Sequence, residues 1–529
     1  MSLQGKPVKI SRNIFILFLS LYFVCLLNIP FWGENFKIVK FNRVSDLIYL
    51  ASMFIGLSAA FTIVFNLVLF KHFEKFLALV FALIAIFASY HMYYFKVMID
   101  LNMIQNVLQT DIHEASDLIS MKFGIWLFLL SAPLLALCFI KIRYESGILK
   151  EVKSRLISII LSILLIAFSV GVAYKNIVVI HRNNRNLTKL INPLSCIFYL
   201  GKSVKLQVQP APAFKQIGLD AAKGARWQNV TKKSVVVIVV GEAARAGNFS
   251  LNGYARETNP LLKTRNVISL KDVSSCGTCT AVSVPGMFSR LPRNHYTPEK
   301  AAHEENLLDV LARAGFSVLW HDNNSSSKGV ATRVKEDNIR HLNQNDEALL
   351  DGLEKYLNTL QTDGVIVLHQ LGSHGPAYYK RYPERFNQFK PGCNTNEIQS
   401  CKKSDLVNSY DNTILYTDYV LVKIIDLLAK NDQLNTAMIY VSDHGESLGE
   451  YGLYLHGTPY LIAPKEQTHI PWIMWFSDSF AQEFGINFNS LKTKADTRKY
   501  SHDNLFHSVL GLLDISTNEY DQGLDIFKN

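Results

Sequence analysis

A helical membrane domain joined to a soluble α/β domain is the fold class the sequence predicts, on three observations. Apolar residues crowd the first third of the 529-residue chain into long, nearly uncharged runs. Beyond residue 230 short β-branched runs alternate with amphipathic segments. Several of those short runs end abruptly in Glu, Asn, His or Asp, as strands that feed a polar rim do.

The apolar runs cover residues 14 to 31, 47 to 70, 76 to 95, 123 to 140 and 156 to 174, each of about bilayer-spanning length. Five transmembrane helices follow, since five buried core helices in direct succession would be unusual. Lys6, Lys9 and Arg12 resemble the start of a signal peptide, but no small-x-small cleavage site follows, so the first helix is expected to be retained. Lys71 and Lys75, then Lys141, Arg143, Lys150, Lys153 and Arg155, fall in alternate loops. The loop between the third and fourth runs holds Asp100, Asp111, Glu114 and Asp117, with Lys96 and Lys122 only at its two ends. This asymmetry predicts a cytoplasmic N-terminus and a large external domain, although Lys37, Lys40 and Arg43 dissent.

Residues 176 to 200 mix Ile, Val and Leu with Arg182, Arg185 and Lys189 at near-helical spacing, which suits a helix lying on a membrane surface. QVQPAPAF, residues 207 to 214, reads as a linker. The expected organisation is therefore a membrane domain over 1–175, a bridge over 176–215 and a catalytic domain over 216–529. The net charge of +10 gathers beside the membrane segments, favouring lipid headgroups over nucleic acid as partners.

In the soluble part, residues 235–241, 316–321, 364–371, 437–442 and 471–476 read as strands buried on both faces of a mainly parallel sheet. Residues 305–315 and 416–431 read as helices covering it. Ligands gather beyond the carboxyl ends of such strands. Glu242 follows the first strand, Asn323 and Asn324 the second, Ser373 and His374 the third, and Asp443-His444-Gly445-Glu446 the fourth, with His456 shortly after. Each alone would pass for a turn or cap, but four tips delivering such residues to one edge point to a metal or phosphate site.

A nucleophile is sought in SSCGTCTAVSVPGMFS, residues 274–289, where a Gly-containing loop runs into a predicted helix near Thr280. A helix N-terminus favours an alkoxide or bound phosphate. A Thr hydroxyl also needs a metal or base beside it. The residue chemistry leaves Thr280, Thr278, Ser275 and Cys279 as alternatives. Of the seven cysteines, Cys393 and Cys401 flank a short polar loop that suits a disulfide in an oxidising compartment better than a zinc knuckle.

The chain resembles the lipid A-modifying phosphoethanolamine transferases of the alkaline phosphatase and sulfatase superfamily, which include the mobile colistin-resistance enzymes. The resemblance rests on QNVLQTDIHEA (105–115), VVGEAARAGNFSLNGYARETNP (239–260), the CGTxT loop, SRLPRNHYTPEKA (289–301), HDNNSSSKGV (321–330), LGSHGPAYYKRYP (371–383) and DHGESLGE. It implies an alkaline phosphatase-like soluble fold in the periplasm, attached to the bacterial inner membrane, in a monomer. It implies Thr280 as nucleophile and, with Glu242, Asp443 and His444, as a ligand of one tightly bound zinc. Asn324, Lys328, His374 and His456 match positions that hold the phosphoethanolamine group, or a second metal in the case of the histidines. His374 or His456 would also protonate the leaving oxygen. Thr110 and Glu114 match positions that help bind substrate.

The implied reaction moves phosphoethanolamine from phosphatidylethanolamine to a lipid A phosphate through a phosphothreonine-type intermediate, giving resistance to polymyxin-like cationic peptides. One departure concerns Cys276, whose usual partner position is Gly286 here, with Cys279 added; a Cys276–Cys279 disulfide and two thiols are both compatible with this. Rival readings are a transferase acting on core sugars or surface proteins, a phospholipid phosphodiesterase, or a lipid receptor without activity. The intact Glu242, Thr280, Asp443 and His444 set argues against the receptor.

Overall fold

The computed structural model of the chain describes residues 8–39, 41–110, 112–208 and 213–528. Lys6, Lys40, Asp111 and the centre of the expected 207–214 linker lie outside the described residues. Two compact units emerge, Met1–Ile104 with Ser120–Lys205 and Gln105–Ile119 with Leu206–Asn529. The short segment Gln105–Ile119, predicted to be a loop between membrane helices, is thus grouped with the soluble part.

In the first unit, Val44–Val68, Glu74–Tyr94, Met121–Phe139 and Ile148–Arg182 are helices long and apolar enough to cross a membrane. The expected first span is instead a pair, Arg12–Leu27 and Ile29–Ile38, bent by 60°. The count is therefore four, or five if the bent pair is one span. The break has a local cause. Asn28 donates its side-chain amide to the carbonyls of Phe23 and Asn192, while Pro30 has no backbone N–H to donate to the turn before it.

The fifth apolar run is embedded in a longer helix, Ile148–Asn183. Its charged start is held by Arg155, which pairs with Glu151 one turn earlier at 3.1 Å. The same helix overruns the expected start of the surface helix. Residues 176–200 consequently do not form one element: the long helix ends at Asn183, a 3₁₀ turn covers Arg185–Leu190, and a new helix spans Leu194–Val208.

The second unit is built on a seven-stranded sheet: β1 Lys233–Gly241, β2 Ile268–Leu270, β3 Ser317–Asp322, β4 Lys335–Asn338, β5 Gly364–His369, β6 Leu434–Ser442 and β7 Trp472–Phe476. Their spatial order is β2-β7-β6-β1-β5-β3-β4. The pairs from β6 through β4 are parallel, and β7 runs antiparallel to both of its neighbours. The result is the mainly parallel sheet expected, with two further short edge strands, β2 and β4. β1, β5 and β6 are buried along almost their whole length, which is why they read as continuous apolar runs.

Register decides what this sheet can do. Gly241 lies opposite Ser442, Val240 opposite His369, and Asp322 opposite His369. Four strands therefore end level with one another, and the residues that follow them emerge along one edge. Cys393 and Cys401 form the expected disulfide. Cys276 and Cys279, by contrast, are buried thiols, so the alternative of a bond between them does not hold.

Candidate active site

Glu242 leaves the tip of β1, and its two oxygens are used differently. Oε2 accepts hydrogen bonds from Thr280 Oγ1 at 3.1 Å and from Asn324 Nδ2 at 2.9 Å. Oε1 has no hydrogen-bond donor and faces His444 Nε2 at 3.3 Å. Asp443, at the tip of β6, repeats the division. Its Oδ1 accepts from the backbone N–H of Ala243 and of His444, while Oδ2 has no donor and lies 3.3 Å from the same Nε2. Thr280 Oγ1 is 3.4 Å from that nitrogen.

One carboxylate oxygen of each acid, one imidazole nitrogen and one hydroxyl thus converge in a site where Glu242, Asp443 and His444 are fully buried. Leaving two carboxylate oxygens dry and without a donor is costly unless a cation takes them. The His444 ring is turned for ligation, because Nδ1 lies 2.8 Å from the Gly445 carbonyl and so carries the proton, leaving Nε2 for a metal. Three oxygens and one nitrogen suit zinc, and the donor set fits the expected ion.

The charge balance agrees. Burial disfavours ionisation of both carboxyls; His444 nevertheless holds Glu242 below its usual range, whereas Asp443, beside the Glu242 charge, is pushed up to about 7. Burial likewise opposes charge on His444, but Asp443 and Glu242 outweigh it and raise the imidazole to about 10.

Thr280 is the first residue of the helix Thr280–Phe288, with Cys279 as its N-cap. Of the four hydroxyl or thiol alternatives in this loop, Thr280 is the one bonded to Glu242. Ser275 Oγ donates to the Gly277 carbonyl, and Thr278 Oγ1 to the Thr458 carbonyl. Those two serve the loop's shape.

Asn324 is fixed from behind. Its N–H donates to Asp322 Oδ1 at 2.7 Å, and Asp322 Oδ2 is held by His369 Nδ1 and Trp320 Nε1. Gly372 passes so close to Glu242 that a Cβ would lie 2.7 Å from the Glu242 carbonyl oxygen, and its φ of +52° independently favours glycine.

The two histidines expected at the substrate stand together. The His374 and His456 rings are 5.4 Å apart, and His456 is 4.4 Å from the His444 ring. Burial, with help from the neighbouring histidines and Arg381, pushes His374 down to about 3 even against the pull of Glu242, so it is neutral near pH 7. His374 Nε2 lies 3.8 Å from Glu114 Oε1. Lys328 Nζ donates to Ser325 Oγ at 2.7 Å and to the Gln109 carbonyl at 3.3 Å. The Thr110 hydroxyl, just past the helix Leu101–Gln109, donates back to the Asn106 carbonyl of that helix.

These contacts bring a buried hydroxyl, a group of side chains that could hold a cation and further polar side chains to one edge of the sheet, and comparisons with known proteins place the chain in a family. A family model described as "Phosphoethanolamine transferase EptA/EptB" covers residues 57–208, and one described as "Sulfatase" covers 234–515. The chain is 40% identical to the phosphoethanolamine transferase EptA of Escherichia coli K12, over 99% of this chain and 98% of that one. It belongs to the phosphoethanolamine transferases.

The transferase is also 33% identical to the phosphatidylethanolamine transferase Mcr-2 of Escherichia coli, with 96% of each chain covered. Among solved structures, the integral membrane lipooligosaccharide phosphoethanolamine transferase A of Neisseria meningitidis superposes with a TM-score of 0.94 at 38% identity, covering 99% of both chains.

Sequence reasoning on this transferase gave no role to Glu446 or Tyr378. Glu446 Oε2 is 3.0 Å from His456 Nδ1, and its Oε1 accepts from the Tyr378 hydroxyl at 2.9 Å. Glu446 stands three residues after Asp443, so the DHGE turn contained the signal. His502 was missed as well: its Nδ1 accepts from the Cys276 N–H, and its Nε2 lies 3.0 Å from the Ser442 carbonyl, tying the Thr280 loop to the end of β6.

Proposed function

We propose that this membrane protein transfers phosphoethanolamine from phosphatidylethanolamine to a phosphate of lipid A, with Thr280 as the group that carries it between the two lipids. In this reading the soluble unit works in the periplasm, the N-terminus is cytoplasmic, the enzyme acts as a monomer, and the modified lipid A repels polymyxin-like cations. The observation that carries the reading is the convergence of Thr280 Oγ1 on Glu242 Oε2 at 3.1 Å and His444 Nε2 at 3.4 Å. Lipid A as acceptor is supported by the Kdo(2)-lipid A phosphoethanolamine 7''-transferase of Escherichia coli K12, 28% identical over 80% of this chain.

Glu242, Thr280, Asp443 and His444 would hold a zinc ion, whose charge favours the alkoxide of Thr280 and offsets charge on the phosphoryl group. Thr280 Oγ1 passes its proton to Glu242 Oε2, to which it already donates, and attacks phosphorus, while the bond from phosphorus to the glycerol oxygen breaks with its electron pair going to that oxygen. His456, oriented by Glu446, supplies the proton that completes diacylglycerol. His374, neutral because it is buried, suits an accepting or ligating role better than that of acid. Lys328 and the Asn324 amide offset charge on the phosphoryl oxygens. An oxygen of the lipid A phosphate then attacks the same phosphorus, and Thr280 leaves and regains its proton.

Mass spectrometry of lipid A extracted from cells expressing the protein tests the reading. Lipid A gains phosphoethanolamine with the wild-type chain and does not with Thr280→Ala at equal protein level. Unmodified lipid A alongside modified core sugar or surface protein reassigns the acceptor. Transfer that persists in Thr280→Ala ends the mechanism.

A further inference from the structure

The segment Gln105–Ile119 lies between two membrane helices in sequence, yet it groups with the soluble unit, which supplies three side-chain contacts to it. Gln109 is reached by Lys328 through its carbonyl, and Glu114 faces His374 at 3.8 Å. The third contact is the strongest. Asp117 is buried, with Oδ2 accepting from Arg381 Nη2 at 2.6 Å and Oδ1 from Lys380 Nζ at 2.7 Å.

Arg381 serves two masters. Its side chain is also buried, and its Nε donates to the backbone carbonyl of His374 at 2.8 Å. One planar guanidinium therefore grips the segment carrying Glu114 and the loop carrying His374 at once, fixing the spacing between the two side chains. Burial alone would raise the Asp117 carboxyl, but Arg381 and Lys380 bring it below its usual range, as expected of a paired anion. Meanwhile Val107, Leu108, Ile112 and Ile119 on the same segment are exposed, so apolar packing does little to hold it.

We propose that Asp117 is a positioning residue for donor binding: through Arg381 it sets Glu114 against His374 and so shapes the pocket for the ammonium-bearing headgroup. This rests on the function proposed above and on the expectation from the resemblance that Glu114 and His374 help bind its substrate. The Glu114 carboxylate, 3.8 Å from His374 Nε2, suits a primary ammonium, which offers three N–H donors and a positive charge.

The test uses purified full-length protein in detergent micelles, fluorescent phosphatidylethanolamine as donor and lipid A as acceptor. Asp117→Asn is expected to raise the donor KM about tenfold with kcat changed much less, because a binding geometry is lost rather than the reacting groups. Glu114→Gln should raise KM similarly, and Asp117→Asn/Glu114→Gln should be no worse than Glu114→Gln, since both act on one contact. A role in folding alone would lower kcat through the active fraction and leave KM unchanged. A donor KM within about twofold of wild type in Asp117→Asn, or additive effects in the double variant, overturns the proposal. If Glu114→Gln itself leaves KM unchanged, the underlying assignment of Glu114 fails instead. Should Asp117→Asn not fold, Arg381→Lys carries the same test, because it keeps the charge and gives up the planar double grip.

Discussion

The Asn324 side-chain amide donates to Glu242 Oε2 at 2.9 Å, so one oxygen of that buried carboxylate is committed to the protein and only Oε1 is left open. Asn324→Ala removes a donor from a fully buried acceptor, a change worth about 1–3 kcal/mol. Transfer should fall by roughly tenfold or more, by the usual relation between barrier and rate. Asn324→Asp should be worse, since it sets a third carboxylate beside Glu242. Rates measured on purified variants with labelled donor would show the order wild type, Ala, Asp, and an Asp variant as active as wild type would contradict it.

Metal removal should affect folding as well as activity. A ligand that binds the folded state alone stabilises it by mass action. Dialysis against a strong chelator is expected to abolish transfer and lower the melting temperature, with zinc restoring both. Glu242→Gln, which keeps the shape and loses the charge, should retain less metal per chain by elemental analysis. A chelated protein with unchanged melting temperature and activity would remove the metal from the account.

His502 gives the soluble unit an acid-sensitive brace. Desolvation lowers its pKa from the ordinary 6.5 to about 4. The unfolded chain therefore binds a proton more readily than the folded one between those values. The His502 contribution is fully present above about pH 6.5 and is lost progressively as pH falls towards 4. Thermal melts across that range should show wild type losing stability, while His502→Gln, less stable at neutral pH, has a shallower dependence.

Gly286 sits against Cys276 in the helix that begins with Thr280. A Cβ there would collide with Cys276 Sγ and come within 3.5 Å of the Tyr296 ring. Overpacking of this kind costs about 1–3 kcal/mol. Gly286→Ala should lower the melting temperature, and adding Cys276→Ala should recover most of it. Additive destabilisation in the double variant would show that the strain lies elsewhere.

The strand tips were legible because each buried strand announces itself as an apolar run and its end as a sudden polar residue. Glu242, Asn324, His374 and Asp443 could be assigned to one edge on that basis, although only the register shows that they end level. Helix limits were harder to read. Lys153 and Arg155 stand before the apolar run yet inside the helix, and Asn28 with Pro30 bends a first span that composition shows as uninterrupted. The Asp117–Arg381 pair joins residues 264 positions apart, a contact that no local pattern encodes. For Cys276 and Cys279, spacing allows two states, and the structure holds them as thiols.

Gly445, beneath Asp443 and His444, is constrained by contact, since an added Cβ would run into the Glu466 carbonyl oxygen while Glu466 accepts the Glu446 N–H. A saturation library selected for growth under polymyxin should therefore read as a single letter at position 445. The side chains on either side would be screened for chemistry, whereas this position is screened for having none.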